Sequence, residues 1–185
     1  MPTYKKWEKL YNDFSDDNEI FIIPGNHDVG NNNKNNYREI FNNYISKKQS
    51  ILFPYLVKRS GFNIILDDST KGNSLFNNNF EILLNTKYED NIILLRHHIL
   101  LKEMQKDAGN TPEYFDNSII ESNFNYANNT YFISGNGGMK KYYKRISCIK
   151  NAKYNYILNG IGEFKNDNVI ILNNKKIYRY EINNY

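Results

Sequence analysis

Three short apolar runs, each stopping abruptly at a cluster of polar residues, constrain this chain more than any other feature. Glu19-Ile20-Phe21-Ile22-Ile23-Pro24 leads into Gly25-Asn26-His27-Asp28. Asn91 to Leu95 leads into Arg96-His97-His98, and Tyr131 to Ile133 leads into Ser134-Gly135-Asn136-Gly137-Gly138. A short continuous apolar run bounded by turn residues is the pattern of a strand buried inside a sheet, with both faces covered. Such strands need helices or a second sheet against them, which predicts a layered α/β architecture. In folds of that kind the functional site lies beyond the strand ends, where the three polar clusters stand.

The remaining periodicities fill in the layers. Tyr4, Trp7, Tyr11 and Phe14 recur at three- and four-residue spacing and predict an amphipathic helix over 3–14, with Lys5, Lys6, Glu8 and Lys9 outward. A strand over 19–23 follows. Tyr37, Ile40, Phe41, Tyr44 and Ile45 predict a second helix that ends at Lys47 and Lys48, cations suited to a helix C-terminus. Phe62 to Leu66 reads as a strand closed by Asp67-Asp68, with helices expected over 75–85 and 118–126. Further strands are expected over 146–149, 155–159, 169–172 and 176–182, separated by Asn, Gly and Lys turns. Strands and helices thus alternate over the first two thirds, and the C-terminal part is mainly β. With 185 residues and no internal repeat or linker, one domain over 1–185 is expected.

Composition excludes several classes of function. A net charge of +4 gives weak attraction to anions and no strong case for nucleic acid. Lys140-Lys141-Tyr142-Tyr143-Lys144-Arg145 mixes cations with aromatics, as single-strand binders do, but a solvated loop beside a sheet has the same composition. The single cysteine, Cys148, leaves no internal disulfide, fits a reducing compartment and reads as a small buried hydrophobe. Gly160-Ile161-Gly162 lacks the third glycine and the helix of a dinucleotide fingerprint and reads as turn chemistry. No stretch is long and apolar enough for a membrane helix, and the start lacks the apolar core of a signal peptide. A cytoplasmic protein without membrane contact is expected.

All three histidines of the chain fall in the first two polar clusters. A lone histidine is most often structural, whereas three of three at strand ends point to a site. At these residues the chain resembles the calcineurin-like metallophosphoesterases. Ile22-Ile23-Pro24-Gly25-Asn26-His27-Asp28 is similar to their GNHD motif, and Leu94-Leu95-Arg96-His97-His98 is similar to their later strand-end histidine motif. The resemblance implies an incomplete metallophosphoesterase-like β-sandwich flanked by helices. It also implies hydrolysis of a phosphomonoester or phosphodiester by a metal-bound hydroxide, with divalent Mn, Fe or Zn as cofactor.

Carried over by residue, Asn26 and His97 are the metal ligands, a neutral oxygen and an imidazole nitrogen. His27 stabilises phosphoryl charge or protonates the leaving alkoxide. Asp28 orients the His27 loop, or else braces its own turn by bonding nearby backbone. Arg96 clamps a phosphate, if it is not simply solvated. His98 lines the pocket, and Asn136 reaches a substrate oxygen, if Ser134 to Gly138 is not simply a glycine turn built on positive φ.

The family's Asp-x-His and Gly-Asp-x-x-Asp strand ends have no counterpart before Gly25, and Gly135-Asn136-Gly137-Gly138 stands where Gly-His-x-His is usual. Asp13, Asp16 and Asp17 read as a helix end and turn. The expectation is therefore a domain lacking its N-terminal strands, with a sheet edge prone to self-association or to pairing with a complementing N-terminal segment. A non-catalytic binding or scaffold domain derived from the same fold is the alternative.

Overall fold

The computed structural model describes residues 4–15, 18–29, 36–70, 91–100, 105, 129–136, 146–150, 154–159 and 166–183. The expected helices over 75–85 and 118–126, the Lys140 to Arg145 run, and Gly137, Gly138 and Gly160 to Gly162 lie outside them. The architecture is α/β. Strands β1 (Tyr55–Arg59), β2 (Phe62–Asp67), β3 (Asn91–Arg96), β4 (Thr130–Ser134), β5 (Ile146–Lys150) and β6 (Tyr154–Asn159) form a six-stranded sheet in the order β1-β2-β3-β4-β6-β5. The neighbours β2, β3, β4 and β6 run parallel, and β1 and β5 flank them antiparallel. Strands β7 (Asn166–Asn173) and β8 (Lys176–Asn183) form a separate hairpin.

Side-chain alternation sends each parallel strand into two layers. Phe62, Ile64, Leu66, Ile93, Ile133 and Ile157 enter one core with Ile51 and Val57. The β7–β8 hairpin covers part of that face with Ile170, Leu172 and Ile177. Its other face carries Val169 opposite Tyr180 and Ile171 opposite Tyr178, all exposed. On the far side of the sheet Ile65, Ile92, Leu94, Phe132 and Leu158 are buried. There Phe132 stacks on Tyr156 with centroids 5.1 Å apart.

The two hairpin turns among the described residues use positive φ. Ser60 and Gly61 (51° and 76°) join β1 to β2, and Asn174 and Lys175 (45° and 62°) join β7 to β8, the backbone that two-residue hairpins favour. The two turns touch, because Lys175 N–H donates to Ser60 O at 2.9 Å. The β1 strand was not foreseen. Pro54 and a mixture of half-buried and exposed positions blur its period, although Ser60-Gly61 marks its turn.

Helix α1 (Tyr4–Ser15) buries Trp7 and half-buries Tyr11, as its period predicts, but Phe14 is 60% exposed. The second helical stretch is α2 (Asn26–Val29), too short to have been read. The third comprises α3 (Asn36–Phe41), a π-turn over Asn42–Ser46 and a last turn, Lys47–Gln49. Trp7, Val29, Phe41, Tyr44 and Ile45 form a second core, with Trp7 edge-on to Phe41 at 5.5 Å. Lys48 places its ammonium over the rings of Tyr11 and Tyr44, at 5.5 and 5.3 Å.

Residues 19–23 depart from the strand expected there: among the described residues the segment joins no ladder. Its side chains behave as those of a central strand, with Phe21 and Ile23 in the sheet core and Ile22 in the helical core. The main chain of Ile22 pairs instead with a side chain. Gln49 Oε1 accepts the Ile22 N–H, and Gln49 Nε2 donates to Ile22 O at 3.5 Å. A carboxamide sets an N–H donor beside a carbonyl acceptor, as the backbone of a paired residue does, so Gln49 takes the place of one residue of a neighbouring strand.

Candidate functional site

The parallel strands end in a row of buried polar residues. Asp67 of β2 stands opposite Arg96 of β3, and Arg96 opposite Ser134 of β4. Arg96 Nε lies 3.6 Å from Asp67 Oδ2, with the Arg96 side chain wholly enclosed. Burial pushes the Asp67 carboxyl up to about 6; the Arg96 guanidinium pulls it down and Asp68 adds to the rise. Arg96 is thus held inside the sheet layer beside Asp67, and a substrate phosphate reaches it only if that layer opens. Asp68 pairs with Arg38 from α3, and Arg38 also donates to Thr70, which ties the helical layer to the loop after β2.

The next residues of the chain build the site. His97 is the first residue after β3 and is half-buried. Its carbonyl accepts the N–H groups of Gly135 (3.2 Å) and Asn136 (2.9 Å), which fastens the loop after β4 beside it. Its Nε2 lies 2.9 Å from Oδ1 of Asn26, across 71 positions of sequence. Gly25 lies against the same ring: a Cβ built there would stand 2.9 Å from both Cε1 and Nδ1 of His97. Close approach, and not a left-handed turn, is what requires glycine at 25, because Gly61 is the one glycine with positive φ among the described residues. Gly135 also lacks positive φ, and a Cβ there would meet only ordinary contact at 3.9 Å. The part of the glycine-turn reading that falls on Gly135 therefore does not hold.

His97 is neutral at physiological pH. Burial first, then repulsion from His98, His27 and Arg96, lowers its pKa to about 4. A neutral imidazole nitrogen beside an amide oxygen is a pair of metal donors. Donors held about 2.1 Å from one octahedral ion at a right angle stand about 3 Å apart, so the observed spacing suits two adjacent ligands as well as a hydrogen bond. Among the described residues no group of three or more His, Cys, Asp or Glu is placed to hold a metal ion.

The other residues of the motif have distinct surroundings. His27 is exposed, on α2 next to Asn26. Asp28 Oδ2 accepts the Gly25 N–H at 2.9 Å, while Gly25 O accepts the N–H groups of Asp28 and Val29. The carboxylate bond is the half of a capping box in which the third helical residue reaches back to the N-cap N–H, and it favours the turn-bracing reading of Asp28. His98 is buried and meets His97 edge to face, with centroids 4.9 Å apart. The structure thus brings Asn26, His27, His97, His98 and Asn136 to one end of the sheet, with Arg96 beneath them.

Sequence reading did not identify Ser69, whose Oγ lies 3.0 Å from Nδ1 of His98 and accepts the His98 main-chain N–H at 3.1 Å. The parallel register carries the signal. Asp67 opposite Arg96 is an offset of 29, and continuing that offset past the strand ends brings Ser69 to His98. Among the described residues no helix is long and apolar enough to cross a membrane. Compared with known proteins, the chain matches no family model, no curated protein and no solved structure.

Proposed function

We propose that the domain is a metal-dependent phosphoesterase of the calcineurin-like type, acting on phosphomonoesters or phosphodiesters. The observation that carries this reading is the meeting of Asn26 Oδ1 and His97 Nε2 at 2.9 Å, from two sequence motifs far apart in the chain. Asn26 and His97 would hold a divalent ion, Mn, Fe or Zn, through one oxygen and one nitrogen. Such an ion, when bound, activates water and neutralises charge on phosphoryl oxygens. The chain's own residues do the rest. His27, exposed beside Asn26, faces an incoming ester and carries a proton to or from its leaving group. Gly25 gives His97 room, and the Asp28 carboxylate holds the turn that aims both Asn26 and His27.

A second reading, a non-catalytic binding domain or scaffold, draws on the donor set among the described residues, where Asn26 and His97 are two donors and a tight site needs about four or more. One experiment separates the two. Purified protein is loaded with Mn, its metal content is measured, and turnover of an aryl phosphodiester is followed. Bound metal with turnover supports the phosphoesterase; neither metal nor turnover ends that reading for this chain.

A further inference from the structure

The His97-His98 dipeptide is gripped from both neighbouring strands. On the β4 side, Gly135 and Asn136 bond the His97 carbonyl, and Ser134 Oγ donates to the His98 carbonyl at 3.2 Å. On the β2 side, Ser69 bonds His98 twice, at the main-chain N–H and at ring Nδ1. Ser69 is 1% exposed and His98 9%, so water does not compete strongly for these bonds. A serine hydroxyl has one proton and two lone pairs. With one lone pair on the His98 N–H, the hydroxyl can give its proton to Nδ1 and so hold His98 as the Nε2–H tautomer. The fixed His98 ring then stands edge to face with His97 and limits the directions the His97 ring can take.

We propose that Ser69 and His98 are positioning residues, a buried pair that fixes the His97 imidazole so that Nε2 points at Asn26 Oδ1. The inference rests on the reading of Asn26 and His97 as the metal-holding pair only for its functional consequence. Neither residue touches substrate in this scheme. Both act through His97, as residues behind a metal ligand commonly do, and loss of such support costs roughly 10- to 100-fold in metal affinity.

The test combines a spectroscopic readout with a binding readout. Imidazole ¹⁵N shifts of the metal-free protein report the tautomers of His97 and His98, and calorimetric titration with Zn reports affinity. In the wild type, His98 should be the Nε2–H tautomer and His97 should donate Nε2–H to Asn26. Ser69→Ala should redistribute the His98 tautomers, move the His97 ring signals and weaken Zn binding about 10- to 100-fold; Ser69→Thr, which keeps the hydroxyl, should restore all three. If Ser69→Ala does not fold, His98→Gln decides by the same His97 signals, since it keeps a polar partner for Ser69 but removes the ring against His97. His97 signals unchanged in the folded variant overturn the proposal, as does unchanged Zn affinity alongside altered His98 signals. Absence of both Zn and Mn binding by the wild type would instead defeat the phosphoesterase reading, while the His97 signals still decide the positioning.

Discussion

Gly25 and His97 share one space: the position a Cβ would take on Gly25 lies 2.9 Å from two atoms of the His97 ring, and 3.1 Å from the Asp28 carboxylate. Contacts that short do not persist, so any side chain at 25 must move the imidazole or the turn. Gly25→Ala should therefore break the bond between His97 Nε2 and Asn26 Oδ1 and destabilise the fold by roughly 1–3 kcal/mol, the usual cost of overpacking. Urea denaturation measures the second effect, and the His97 ring signals measure the first. A variant as stable as the wild type, with unmoved His97 signals, would show that the turn yields without cost.

Asp67 predicts a pH dependence of stability. Its carboxyl is raised from an ordinary 3.8 to about 6, chiefly by burial, and the Arg96 guanidinium recovers only part of that loss. The folded protein therefore binds a proton that the unfolded chain gives up between pH 4 and 6. A raised carboxyl contributes stability that is present below the unfolded pKa and lost as pH rises through the folded one. Unfolding free energy should fall by on the order of 3 kcal/mol from this group between about pH 4 and pH 7. In Asp67→Asn that component of the slope should vanish, as read from denaturant midpoints at several pH values; an unchanged slope would show that Asp67 titrates normally.

Gln49 has a role that no motif announces. Its carboxamide closes the main-chain hydrogen bonds of Ile22 in the segment that leads to Asn26. Gln49→Ala leaves that peptide to water at a half-buried position and should cost about 1–2 kcal/mol in unfolding free energy. Amide exchange at Ile22 should accelerate relative to β3, whose ladder is untouched. Equal protection in the two proteins would mean that Gln49 does not hold the segment.

How much of this was readable in the chain follows from where each signal resides. Strands β2, β3 and β4 were legible because both their faces are buried, so Ile64, Ile93 and Ile133 fall in unbroken apolar runs. Residues 19–23 have the same appearance, and their side chains do enter two cores; only their hydrogen bonds differ, and those depend on where Gln49 comes to rest. Phe14 continues the apolar period of α1 beyond the part of the helix that the second core covers, so period alone placed it inside. At the site, Asn26 and His97 stood out as residue types at the ends of apolar runs, although only the run before His97 is a strand. The Ser69–His98 pair did not, because it depends on the parallel register of β2 and β3, which neither segment encodes by itself.

The exposed His27 beside the two proposed metal donors makes the sharpest division of roles. If His27 transfers a proton or stabilises charge without holding the ion, His27→Ala should lower turnover of an aryl phosphodiester by roughly 10²- to 10⁴-fold while metal content stays nearly unchanged. His97→Ala should remove metal and turnover together, because His97 Nε2 is one of the two donors that meet. Parallel loss of both quantities in His27→Ala would reassign His27 to the metal. Full turnover in that variant would remove it from the chemistry, leaving Asn26 and His97 to act on the ester through the ion and water alone.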